Sequence, residues 1–169
     1  MTTSKSLVIA AAIGAAAVAQ APAPQPPPQP ADLTVPAGFT ASVFASDLAG
    51  ARLMTVSPEG TLLVARRPRS EVVALRRAAG EAGRARPEVI LSNLTNAHSL
   101  AFKDRWLYVA TTPAVMRVRW ANDRPQGDAE KVVDLPSSTP ALHVSRTINF
   151  GPDGRLYVSI GSSCNVCVE

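Results

Sequence analysis

Three stretches of this chain repeat one another, and that constrains the fold more than any other feature. The first is ARLMTVSPEGTLLVARRPRSEVVALR from Ala51, the second AHSLAFKDRWLYVATTPAVMRVRW from Ala97, and the third SRTINFGPDGRLYVSIGSSCNVC from Ser145. Each carries a strand pattern, a tight turn and a second strand of the form Leu, aliphatic or aromatic, Val, small. The turns are Ser57-Pro58-Glu59-Gly60, Lys103-Asp104-Arg105 and Gly151-Pro152-Asp153-Gly154. Aligned on Leu62, Leu107 and Leu156, the repeats stand 45 and 49 residues apart. Third strands are expected at Glu71 to Arg76 and Ala114 to Trp120, and outer fourth strands at Pro87 to Leu91 and Glu130 to Leu135. Four short antiparallel strands in a unit of roughly 40 to 50 residues is the pattern of a β-propeller blade. A β-sandwich whose strands share only turn grammar is the competing reading.

The residues outside the repeats divide the rest of the chain. Lys5 precedes an apolar run from Leu7 to Val18 that closes on Ala17-Val18-Ala19 before Gln20, so residues 1–19 read as a signal peptide. An Ala-rich buried helix is the alternative there. Seven of the 15 prolines lie between Pro22 and Pro36, so residues 20–36 are expected to form an extended, polyproline-like linker. Residues 37–169 are then the N-terminal part of a propeller. Propellers close with typically four to eight blades, and about two and a half are present here, so the chain is expected to be a fragment of a longer protein. The leader implies a periplasmic or secreted location.

Charge excludes one class of partner. Lys and Arg number 17 against 13 Asp and Glu, a net charge of +4, and seven Arg fall between Arg66 and Arg86. A groove for single-stranded nucleic acid interleaves such charges with stacking aromatics. That stretch has none, so the Arg residues read as a solvated surface and no nucleic-acid partner is expected.

Cys164-Asn165-Val166-Cys167 is not a c-type haem site, because Val168 stands where His is required. A structural zinc lacks two further ligands nearby, and a thioredoxin-like pair needs a helix N-terminus. A local disulfide between Cys164 and Cys167 suits an oxidising compartment; reduced thiols covered by further blades remain the alternative.

The segment HVSRTINFGPDGRLYVSIGSSCNVC resembles the third-blade segment of the soluble quinoprotein sugar dehydrogenases, and its ending is especially similar to their glucose/sorbosone and L-sorbosone dehydrogenase branch. Leu33 to Phe39 resembles the strand by which that family's chain enters the propeller, and Leu63 to Pro68 resembles its first-blade strand and turn. The resemblance implies an all-β, six-bladed propeller that uses pyrroloquinoline quinone and calcium to oxidise a sugar or a related alcohol or aldehyde. It places a catalytic His eight residues before the Gly-Pro-Asp-Gly turn, where His143 stands, as general base toward the substrate hydroxyl. Imidazole suits that task because its ordinary pKa lies near the working pH.

His98 occupies the corresponding loop of the preceding repeat, and Arg146 is the nearby cation that can approach an anionic cofactor or substrate. Leu142 before His143, and Val144-Ser145-Arg146 after it, depart from the acidic residue and Gly-Gly-Arg of glucose-oxidising members, which leaves the substrate open. The side chains that hold the quinone and calcium belong to later blades of that family, so no metal site is expected in this chain and catalysis by the fragment alone is not expected. A non-redox propeller of NHL or gluconolactonase type, a calcium-dependent hydrolase or binding platform, is the second functional reading.

Overall fold

A computed structural model of the chain describes residues 33–77, 84–136, 143–162 and 166. The expected signal peptide, most of the expected linker, and Cys164 and Cys167 with the disulfide expected between them lie outside the described residues. Ten strands, β1 (Ala51–Val56), β2 (Leu62–Arg66), β3 (Glu71–Arg76), β4 (Arg86–Leu91), β5 (Ser99–Lys103), β6 (Trp106–Ala110), β7 (Ala114–Ala121), β8 (Arg124–Asp134), β9 (Arg146–Phe150) and β10 (Leu156–Ile160), form three antiparallel sheets. Their orders are β1-β2-β3-β4, β5-β6-β7-β8 and β9-β10. These are two whole propeller blades and the inner half of a third, as the repeats predict.

Two of the repeats share their first turn down to its hydrogen bonds. In the first, the Ser57 and Gly60 amides donate to Thr61 and Ser57 carbonyls; in the third, Gly151 and Gly154 amides donate to Arg155 and Gly151 carbonyls. Gly60 and Gly154 occupy the left-handed region at φ 93° and 75°, where a side chain would be strained. The second repeat uses a shorter turn, Asp104-Arg105, closing Lys103 against Trp106.

Alternation along each strand sends side chains to two faces, and the second blade makes an inter-blade core on each of its faces. Leu63, Ala65, Val72 and Ala74 of the first blade pack against Leu100, Leu107, Val109, Val118 and Trp120 of the second. Phe102 meets Trp120 edge-on, ring centroids 5.2 Å apart. The opposite face of the second blade, with Ala101, Ala110 and Val115, packs on Ile148 and on Phe150, Leu156 and Val158 of the third. Tyr108 and Phe150 form a second edge-on pair at 4.9 Å. The first strands β1, β5 and β9 stand side by side, as strands around a propeller axis do.

Two expectations about strands need correction. Leu33 to Phe39 forms no strand: Pro36 offers no amide, Gly38 turns the chain at φ 86°, and the Phe39 amide bonds back to the Pro36 carbonyl. Upstream of Ala51 the described residues contribute a single parallel bridge, Ala45 with Ala85, while Ala45 and Leu48 cover Val64, Val73 and Leu75. The outer strand of the second blade starts at Arg124, earlier than Glu130, directly after the turn Asn122-Asp123, whose residues sit at φ 53° and 56°. Pro125 and Gly127 hide that strand in the sequence, yet an edge strand with irregular register accommodates both.

Candidate functional site

The loops joining second to third strands and those leading into β5 and β9 gather at one end of the blades. His143, His98 and Arg146 all lie there, each within three residues of the start of an inner strand.

His143 precedes β9 and is half-buried. Its Nδ1 lies 2.8 Å from the Ser162 carbonyl oxygen, with Ser162 Oγ at 3.4 Å. A carbonyl only accepts, so Nδ1 carries the proton and the Nε2 of the neutral ring keeps a lone pair. Gly161 makes this contact possible, because a Cβ there would stand 2.7 Å from His143 Cβ. The sequence suggests the histidine but not its orienting partner; the Gly161-Ser162 pair just after β10 is the signal that could have located it.

Arg146 is 2% exposed. Its guanidinium donates to the carbonyl oxygens of His143 at 2.8 Å, Ser145 at 3.0 Å and Pro136 at 2.8 Å, so it fixes the backbone on which His143 stands. Its Nε has no hydrogen-bond partner among the described residues. All three acceptors are neutral, so among the described residues this buried positive charge has no counter-charge, an expensive arrangement in a protein interior.

His98 is equally buried, at 2%. Its backbone is satisfied, the amide donating to Ala110 and the carbonyl accepting from Leu53. Its Nε2 is not. Burial first, and then the positive charges of Arg52, Arg67 and Arg146, push its pKa down to about 4. The ring is neutral at ordinary pH, a hydrogen-bonding group in a field of cations. The other buried cation of this end, Arg66, is paired with Glu71 at 3.0 Å. Among the described residues no group of three or more His, Cys, Asp and Glu is placed to hold a metal ion.

A cleft of about 250 Å3 opens beside His98, between β1 and β9, bounded by Ala51, Arg52, Leu53, His98, Ser145 and Thr147. Arg52 reaches across it, its Nη2 3.5 Å from Ser145 Oγ. His98, the Arg52 guanidinium and the Ser145 and Thr147 hydroxyls thus meet where three blades converge. The cleft can attract an anion to Arg52, while His143, which does not line it, can accept a proton at Nε2 with Nδ1 held by the Ser162 carbonyl.

Comparison with known proteins follows the same lines. The family model described as TrAA12-like matches residues 33–169. No curated protein matches. Among solved structures, the holo form of the PQQ domain of pyranose dehydrogenase from Coprinopsis cinerea is similar with a TM-score of 0.62 at 18% identity, over 75% of this chain and 31% of that one. A calcium structure of the Trichoderma reesei family AA12 carbohydrate-active enzyme gives 0.60 at 18% identity, over 73% and 32%. The PQQ-bound aldose sugar dehydrogenase of Streptomyces coelicolor gives 0.54 at 20% identity, over 73% and 41%. This chain therefore spans well under half the length of each of these structures.

Proposed function

Because the chain belongs to the TrAA12-like family, we propose that it is the N-terminal portion of a quinoprotein oxidoreductase that oxidises a sugar or a related alcohol or aldehyde, with His143 as general base. The observation that carries the reading is the tautomer of His143: with Nδ1 committed to the Ser162 carbonyl, Nε2 is left to take a proton from a substrate hydroxyl. Arg146 holds the loop at three carbonyls, and Gly161 lets the ring sit against its partner.

The residues present suit an anionic quinone. Arg52 lines the cleft, the charge of Arg146 lies uncompensated behind it, and Ser145 and Thr147 add hydroxyls, a donor set matched to carboxylates. Pyrroloquinoline quinone with calcium would, when bound, supply the hydride acceptor for the substrate carbon. The chain's own residues do the rest. His143 removes the hydroxyl proton as the C–H bond breaks, and Arg146 and Ser162 hold its loop and ring in place. The protein is proposed to act in the periplasm or outside the cell, following its leader. None of the structures compared above is described as a hydrolase, and no observation favours the gluconolactonase-type reading.

The test is dye reduction by the protein expressed from its complete reading frame, with quinone and calcium added, against aldoses, sorbosone and simple alcohols. Turnover of at least one of them is expected. Silence toward the whole panel, from a folded protein that binds the quinone, overturns the dehydrogenase reading.

A further inference from the structure

Thr112 is buried and sits at the tip of the turn that joins β6 to β7. That turn is closed on itself: the Thr111 amide and hydroxyl donate to the Ala114 carbonyl at 2.8 and 2.7 Å, and the Ala114 amide donates to Thr111 Oγ1 at 3.2 Å. Pro113 adds a fixed φ, and its carbonyl accepts from the Leu135 amide at 2.7 Å. From this rigid tip Thr112 reaches two loops. Its amide donates to the Thr95 carbonyl at 3.2 Å, in the loop that carries His98. Its hydroxyl donates to the Val144 carbonyl at 3.2 Å, in the loop that carries His143.

Arg146 takes the carbonyls of His143 and Ser145. With Thr112 on the Val144 carbonyl between them, three successive peptide groups beginning at His143 are fixed. Arg146 belongs to the strand that follows this loop, whereas Thr112 belongs to the neighbouring blade. The first blade repeats the device. Ser70, at the end of the turn between β2 and β3, accepts the Leu94 amide on its carbonyl at 2.8 Å and the Asn96 amide on Oγ at 3.2 Å. A small hydroxyl residue in the turn of one blade thus clasps the loop entering the next, and in the second blade that loop carries His143.

We propose that Thr112 is a positioning residue for His143, its hydroxyl holding the Val144 carbonyl so that the imidazole keeps Nδ1 on Ser162 and leaves Nε2 free. Its effect on turnover rests on the dehydrogenase reading; its hold on the ring does not.

The test uses the full-length protein with Thr112→Val, which removes the hydroxyl and keeps the shape, and Thr112→Ser, which keeps the hydroxyl. Thr112→Ala takes the place of Thr112→Val if that variant does not fold. Nitrogen NMR of the His143 ring at alkaline pH, its signals identified by their loss in His143→Ala, reports the tautomer without any turnover. Thr112→Val is expected to draw the two ring-nitrogen signals together. It is also expected to lower kcat by about threefold to tenfold, the fold-change of one neutral hydrogen bond, with KM and quinone affinity within about twofold of the parent. Thr112→Ser is expected to restore both. Unmoved ring signals with parental kcat refute the role. A fall in kcat that leaves the ring signals in place, or that Thr112→Ser does not recover, marks a merely structural residue and overturns it as well. Ring signals that move while kcat stays parental break the reading of His143 as base, not the hold of Thr112 on it. A protein silent toward every substrate, whose ring signals still move in Thr112→Val and return in Thr112→Ser, fails the dehydrogenase reading and keeps Thr112 as the residue that orients His143.

Discussion

The two ends of the blades treat charge in opposite ways. At the end that carries the first turns and the third-to-fourth-strand turns, Asp123 accepts from Ser57 Oγ at 2.7 Å and Thr61 Oγ1 at 2.6 Å, and it pairs with Arg76. Arg76 in turn bonds Glu88 at 2.9 Å, and Glu88 bonds Arg124 at 2.6 Å. Burial alone would raise the Asp123 carboxyl, but the Thr61, Ser57 and Arg76 hydrogen bonds outweigh it and hold the group below its usual range. Trp120 donates to Glu59 in the same region, at 2.9 Å. The pairs of Asp123 with Arg76 and of Arg124 with Glu88 tie the second blade to the first. At the opposite end, buried Arg146 and His98 keep atoms unmatched. The first end joins blades through charge, whereas the second pairs Arg66 with Glu71 but leaves His98 Nε2 and Arg146 Nε without a partner among the described residues.

That contrast can be broken by acid. The folded pKa of His98, about 4, lies below the ordinary value of 6.5. The unfolded chain therefore binds a proton first, and the stability present above pH 6.5 falls as the pH is lowered toward 4. The full loss is roughly 2–3 kcal/mol. Urea denaturation between those pH values is expected to show the slope, and His98→Gln to flatten it. If the slope is the same in the variant, His98 is not the group responsible.

Asp123→Asn probes the paired end. Asn tolerates the left-handed backbone of this turn, so the change isolates the charge and is expected to cost about 1–2 kcal/mol. Anion binding at the other end should not change. A variant as stable as the parent would show the network to be ornamental.

Gly161→Ala sharpens the unpaired end. The added methyl meets His143 Cβ and must displace the ring or its loop. Turnover by the full-length protein is expected to fall by about tenfold or more, since small misplacements of a catalytic group are costly, with only a modest change in thermal midpoint. Unimpaired turnover would mean that the contact with Ser162 does not orient the base. The smallest effect is expected of Trp120→Phe, which keeps the ring against Phe102 but loses the bond to Glu59, about 1 kcal/mol in urea denaturation.

Much of the fold is legible because its signals are local. The Gly60 and Gly154 turns and the alternation of Leu63, Ala65, Val72 and Ala74 are properties of a few neighbouring residues, and repetition multiplies them. The strand from Arg124 is missed because Pro125 and Gly127 read as loop, although Asn122-Asp123 is a recognisable hairpin turn. Leu33 to Phe39 misleads in the other direction, since similarity of residues does not supply a neighbouring strand to pair with. At the candidate site, His143 is proposed from its resemblance-based position before the Gly-Pro-Asp-Gly turn. The Ser162 carbonyl that orients it, and the Asp123 network 60 or more residues from Ser57 and Thr61, depend on chain returning in space, which no local pattern encodes. Arg146 is expected near an anion, yet its guanidinium is spent on the backbone of the His143 loop; Arg52, in an exposed first strand, carries no signal until the cleft is seen.

The central claim is that His143 is a base held in one tautomer. Its most direct test is His143→Ala in the full-length protein loaded with quinone and calcium, with dye reduction and quinone affinity measured side by side. The account predicts turnover lower by roughly 10²–10⁴-fold, the usual worth of a general base, with quinone affinity unchanged. Turnover at the parental rate would contradict it.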